Sequence, residues 1–192
     1  MQFKLAGQFI LNKLRNELPK HLSYHSVEHV KDVYQAAMRL GKMEGVSRYE
    51  LKLLLTAACY HDSGFLKGAV GHEEESCRMV KEVLPGYGYN EQEVNQICGM
   101  IMATKIPQTP LNHLEEILAD SDLEYLGRED FFTIGNKLFT ELRVFGLINT
   151  EDEWNRLQVR FLEKHHFFTK TAIALLKNKK EEHLEQIRLK LI

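Results

Sequence analysis

The run from Leu51 to Ala58 is apolar with helical period, and it ends in Cys59-Tyr60-His61-Asp62-Ser63-Gly64. With Leu51, Leu54, Leu55 and Ala58 as the inward stripe, the next inward positions are 61 and 62. The spacing therefore predicts that an adjacent histidine and carboxylate face a core. A charge placed there is costly unless something pairs with it. Whatever this chain folds into must bring partners to that helix end.

The remaining segments also have helical period and helical punctuation. Residues 3 to 18 carry Phe3, Phe9, Ile10, Leu14 and Leu18 and stop at Pro19. A second helix over 26 to 40 places Val30, Val33, Ala37 and Leu40 inward. The third opens with Ser47 and Glu50 at capping-box spacing and runs to His61, and Gly64, Gly68 and Gly71 mark a loop. A fourth covers about 72 to 84, ended by Pro85-Gly86, and a fifth starts at Asn90 with Glu93 at the capping-box position. Residues 105 to 110 connect to a sixth over about 112 to 126. Beyond lie a segment to Phe145, another capped at Thr150 with Glu153, and an amphipathic part containing Ala172, Ile173, Leu175 and Leu176. Lys177 to Ile192, of mixed charge, reads as a surface helix. Strand alternation and repeats are absent. The expectation is one all-α domain over residues 1–192.

A net charge of −2 over 192 residues predicts neither binding to polymeric nucleic acid nor attraction to a membrane surface, and it leaves room for a nucleotide in a local pocket. Cys59, Cys77 and Cys98 form no C-x-x-C pair, which fits a reducing cytosol. The N-terminus lacks the pattern of a secretory signal, and no run approaches the roughly 20 apolar residues of a membrane span. A cytoplasmic location is expected.

Following the second helix backward from Leu40 through Ala36 and Val33 leads to His29 and then His25. On the sixth, Leu114, Leu118 and Tyr125 define a stripe that includes Asp122. Each of these polar residues has an ordinary reading by itself: a hydrogen-bonded core histidine, a helix cap, a turn residue. Taken together they need a partner apiece, and one divalent cation would serve His29, His61, Asp62 and Asp122 at once. Two imidazoles and two carboxylates suit Mn, Fe, Co, Ni or Zn. On an ion that accepts six ligands they leave places for water and a substrate oxygen. In such a site Asp62, with a second carboxylate oxygen free, is the candidate proton carrier.

Tyr24-His25-Ser26-Val27-Glu28-His29-Val30, then His61-Asp62, then Asp120-Ser121-Asp122-Leu123-Glu124-Tyr125-Leu126-Gly127 resemble the motifs of the HD-domain superfamily of metal-dependent phosphohydrolases. The resemblance spans about residues 20–130. It implies an all-α HD-domain helical bundle with additional C-terminal helices over 131–192, and a divalent metal, with Mg added to the ions above. His29, His61, Asp62 and Asp122 match the ligands, and Asp122 rather than Asp120 precedes the apolar residue as the family's ligand does. His25 is assigned to supporting the ligands from behind or to helix packing. Branches that bind two metals add two histidines. His72 in Gly71-His72-Glu73-Glu74 resembles the first, Met102-Ala103-Thr104 stands where the second would be, and His113 is a possible substitute. A single metal is expected.

The implied activity is hydrolysis of a phosphate ester or anhydride of a small molecule, with a nucleotide as the favoured class. Glu73 and Glu74 are candidate acid–base groups, although acidic residues there equally stabilise a helix N-terminus. Lys67 and Arg128 are candidate phosphate ligands or solvated surface charges. His165, His166, Trp154 and Phe131-Phe132 read as packing residues of the C-terminal addition. Walker-type and G-x-S-x-G motifs are absent, and no organic cofactor is expected. The alternative is a non-catalytic metal- and nucleotide-binding sensor on the same fold. A homodimer is compatible with either.

Overall fold

The computed structural model describes residues 1–191 and contains, among them, nine α-helices and no strand. They are α1 (Phe3–Glu17), α2 (Val27–Met43), α3 (Arg48–Tyr60), α4 (His72–Val83), α5 (Glu91–Ala103), α6 (His113–Asp122), α7 (Phe131–Val144), α8 (Glu151–Lys164) and α9 (Lys170–Leu189). The capping boxes expected at Ser47, Asn90 and Thr150 are all formed, each with its glutamate three residues on reaching back to the cap. Reciprocal caps of this kind satisfy two orphan N–H groups at a helix start, which is why these three boundaries are legible locally.

Helix α3 is the centre. Every residue from Leu53 to Tyr60 is buried, because α1, α2, α5 and α6 all pack against it. Each fully buried leucine there contributes roughly 1.5–3 kcal/mol. The same continuous core takes in Leu162, Phe167, Ala172, Leu176 and Ile187 from the C-terminal third.

One expectation from the sequence is corrected and a second is extended. The sixth helix does not run unbroken from 112 to 126. It stops at Leu123 (φ −108°, ψ 17°) and resumes as a 3-10 turn, Glu124–Gly127, so Asp122 becomes the last residue of α6. The stretch from Lys177 is mostly exposed, yet it also carries a buried stripe the sequence did not suggest. It continues α9, with Lys180, His183 and Ile187 buried. His183 Nδ1 donates to the Leu126 carbonyl at 2.9 Å, and the Lys180 ammonium donates to the Leu162 carbonyl at 3.1 Å. Alternating charge hid this stripe, since a long side chain can bury its stem and place its charged end on a backbone carbonyl.

Asp120 does not approach the candidate metal ligands. It is fully buried and accepts from the Phe168 N–H (2.8 Å), the Thr169 N–H (2.8 Å) and the Thr169 hydroxyl (2.7 Å), fixing the entry to α9. Burial outweighs those donors and lifts its carboxyl to about 6. Asp120→Asn turns an amide NH2 toward donors, and we expect it to cost about 1–3 kcal/mol, read as a lower denaturation midpoint with metal stoichiometry unchanged.

Candidate metal centre

Three helix ends meet at one point. Ser26 caps α2 by accepting from the His29 N–H, which sets His29 in the first turn. His61 is the C-cap residue of α3, with Asp62 beginning the 3-10 turn Ser63–Leu66. Asp122 ends α6.

His29 Nε2 lies 3.1 Å from Asp122 Oδ1, 3.3 Å from His61 Nε2 and 3.4 Å from Asp62 Oδ2. His61 Nε2 lies 3.2 Å from Asp62 Oδ2 and 3.4 Å from Asp122 Oδ1. Donor atoms bound about 2.1 Å from a shared ion sit about 3.0–3.4 Å apart along octahedral and tetrahedral edges, and all five separations fall there or within a tenth of an ångström. Asp62 Oδ2 is also buried with no hydrogen-bond partner. A buried carboxylate oxygen without a donor is a costly feature that a cation at this point would satisfy. His29, His61 and Asp122 form a set that could hold a divalent ion, and Asp62 lies beside both imidazoles.

The supports of this cluster are local. His61 Nδ1 donates to the Ala58 carbonyl at 2.9 Å, which leaves the Nε2 lone pair facing inward, as a metal-ligating imidazole requires. Ser76 Oγ donates to the His61 carbonyl (2.7 Å) and accepts from the Gly64 N–H (2.8 Å), tying the turn after α3 to α4. Burial opposes charge on all these groups. The imidazoles nevertheless hold Asp62 and Asp122 below the usual carboxylate range, and the two carboxylates hold His61 above the usual histidine value.

Around the cluster runs a ring of aromatic and acidic groups. Phe65 stacks on His25 (centroids 4.0 Å apart) and packs against His72 (4.2 Å). His72 Nε2 is 3.5 Å from Asp62 Oδ1. His25 is held by Glu141, whose carboxylate faces its Nδ1 and accepts from the Tyr24 and His25 N–H groups at 2.8 and 3.1 Å. Burial pushes the Glu141 carboxyl up, but its contact with His25 and the two N–H donors bring it below the ordinary glutamate value. A depressed carboxyl contributes stability that is full above its unfolded pKa, near 4.5, and is lost on acidification below it. Glu141→Gln is expected to lower the melting temperature by several degrees at pH 7, at about 2–4 °C per kcal/mol for a chain of this size. It should also flatten the acid loss below pH 4.5.

Not every residue singled out from the sequence comes here. Glu73 lines the cavity beside Asp62. Glu74 does not. It is exposed and pairs with Lys105, because it faces away from Glu73 on the first turn of α4. His113 sits at the opposite end of α6 from Asp122, 3.4 Å from Glu44 and 3.3 Å from Glu116. Lys67 is exposed in the glycine loop. Arg128 is engaged by Asp32 (2.9 Å), Asp130 (2.6 Å) and Glu124 (3.4 Å).

A cavity of about 230 Å³ opens from Asp62, Asp122, His72 and Glu73 and runs between α7 and α8. Trp154 and Phe131 are buried, as expected of core residues, and also form part of its wall. Residues that sequence reasoning missed are Phe65, Ser76 and Glu141. Two left a signal: Ser76 is one helical turn after His72, and Glu141 continues the apolar stripe Ile134-Leu138 of α7.

No protein-family profile and no curated protein matches the chain. Solved structures do. A predicted HD-superfamily hydrolase from an uncultured Thermotogales bacterium aligns at TM-score 0.66 and 21% identity over 96% of this chain and 90% of its own. Bacillus subtilis YpgQ in complex with ADP aligns at TM-score 0.68 and 20% identity over 98% and 95%. A protein from Lactobacillus plantarum aligns at 0.65 and 17% over 98% and 96%. At these identities the likeness speaks for architecture: with the helix order above, the chain has the all-helical fold of these structures, one of them a predicted HD-superfamily hydrolase.

Proposed function

We propose that this protein is a metal-dependent phosphohydrolase that cleaves a phosphate ester or anhydride of a small molecule. The observation that supports it is the convergence of His29 Nε2, His61 Nε2 and Asp122 Oδ1, with Asp62 Oδ2 3.2–3.4 Å from both imidazoles, at the mouth of a cavity. A divalent ion held by these four would supply Lewis acidity toward a phosphoryl oxygen and lower the pKa of a water beside it. The remaining tasks fall to the chain. His61, oriented through Ala58, keeps its lone pair on the centre. Asp62 and Glu73 are the carboxylates placed to carry a proton between water and leaving group. His72, next to Asp62 Oδ1, lies along that route.

A nucleotide is the substrate class favoured by the resemblance, and the ADP bound to YpgQ supports it. The test is metal analysis of the purified protein followed by phosphate and pyrophosphate release from nucleotides, cyclic nucleotides and sugar phosphates with Mn²⁺. Release that survives exhaustive chelation would sink the reading. Nucleotide binding without turnover would move it to a sensor.

A further inference from the structure

Charge around the cavity is one-sided. Asp62, Glu73 and Asp122 line it together with the imidazoles of His25 and His72, and among the described residues no lysine or arginine does. Arg128 is held by three carboxylates and does not line this cavity; with Lys137 it lines an adjoining pocket that shares Tyr24 and reaches His29. Lys105 pairs with Glu74, and Lys164 belongs to a neighbouring pocket beyond Ile106 and Phe161. A divalent ion at the centre brings two positive charges against three carboxylates. One phosphate monoester, carrying about −1.5 to −2, can sit against that ion. Each further phosphate within the cavity would add negative charge with no lysine or arginine of its lining to receive it, in a partly closed space where uncompensated charge is costly.

The far end of the cavity is apolar. Leu138 and Leu142 of α7 face Trp154, Leu157 and Phe161 of α8 across it, with Gln158 as the polar side chain between them. Such walls favour an apolar body in proportion to the area it buries. A polyol would leave hydroxyls unpaired there, which costs more than the same groups cost in water. At about 230 Å³ the space is below the roughly 300–1,000 Å³ of pockets for drug-sized ligands, so it suits a single ring system.

From this we infer that the cavity selects a phosphate monoester with one phosphate at the metal centre and an apolar, ring-sized alcohol portion between α7 and α8. The catalytic part of this inference rests on the hydrolase reading above but replaces its nucleotide class with an apolar monoester; the binding part does not rest on it. In the reaction a water oxygen bonds to phosphorus and the bond from phosphorus to the ester oxygen breaks. The proton lost by water ends on the departing alcohol, and inorganic phosphate is the other product.

Trp154 is the sole tryptophan of the chain and lines this cavity, so its emission reads occupancy directly. With saturating Mg²⁺, cyclohexyl phosphate is expected to perturb Trp154 fluorescence and to bind about 10-fold or more tighter than either glycerol 3-phosphate or ADP. Leu157→Asp should weaken cyclohexyl phosphate about 10-fold without changing metal affinity by calorimetry. Leu142→Asn is the milder variant if Leu157→Asp fails to fold. ADP binding as tightly as cyclohexyl phosphate, equal binding of glycerol 3-phosphate, or no effect of either variant would overturn the inference. Tight cyclohexyl phosphate binding without phosphate release would uphold the chamber and remove the hydrolase reading. Phosphate release from ADP with weak cyclohexyl phosphate binding would do the reverse.

Discussion

His61→Ala and Asp62→Ala are each expected to lower metal-dependent phosphate release by at least about 10³-fold, or roughly 4 kcal/mol of barrier, while helical circular dichroism stays unchanged. The two side chains are two of the four candidate donors, and Asp62 Oδ2 has no protein hydrogen bond to lose. A bound metal stabilises the native state by mass action, so added metal should raise the melting temperature of the parent protein. That rise should disappear in both variants. Glu74→Ala is the matched control, since Glu74 is exposed and pairs only with Lys105, and it should retain both activity and the thermal shift. Activity that persists in both variants after chelation would rule out a metal centre at His61-Asp62.

The second large effect comes from a residue with no functional group. A Cβ on Gly64 would lie 1.9 Å from the His72 carbonyl oxygen and 2.7–2.8 Å from its carbonyl carbon and Cα. These are backbone atoms at the start of α4, so no side-chain rotation relieves the clash. Gly64→Ala must push α4 off the turn after α3 and strain the Ser76 bonds to Gly64 and His61. We expect a loss of at least about 3 kcal/mol, the upper part of the range for overpacking, or roughly 6–12 °C in melting temperature. Metal affinity should fall with it, because His61-Asp62 and His72 are carried on the two segments forced apart. Gly86→Ala, where a Cβ meets open space, should be near neutral. Equal behaviour of the two variants would show that the close approach does not constrain the site.

Most helix boundaries were legible because they are written in short-range chemistry. Ser47/Glu50, Asn90/Glu93 and Thr150/Glu153 close capping boxes within four residues, and Pro19 and Pro85-Gly86 end helices locally. The break at Leu123 was not legible. An apolar stripe running through Leu118 and Tyr125 continues equally well as an α-helix or as a 3-10 turn, and packing against α9, where Gly127 closely meets Leu176, goes with the second. The buried stripe of α9 was hidden for a related reason. Lys180 and His183 count as polar in any pattern, yet each is buried by donating to a backbone carbonyl that belongs to another segment.

At the candidate centre, His29, His61, Asp62 and Asp122 could be singled out in the sequence because a polar side chain on an apolar helix stripe must find a partner when the stripe is buried. Their convergence was not contained in any one stripe. It depends on three helix ends that are remote in the chain meeting around α3. Glu73 and Glu74, or Asp120 and Asp122, are indistinguishable by composition and nearly so by position. One member of each pair turns to the cavity or the ligand cluster, while the other meets Lys105 or the backbone at Phe168 and Thr169. A rotation of about 100° along the helix separates Glu73 from Glu74, and about 200° separates Asp120 from Asp122. The sequence by itself therefore determined the helices, their caps and the residue types able to hold a metal. The tertiary structure alone decided which of two nearby acids faces the centre, that the arginine offered for phosphate is already neutralised, and that the cavity wall is apolar. Each of those depends on contacts between segments far apart in the chain.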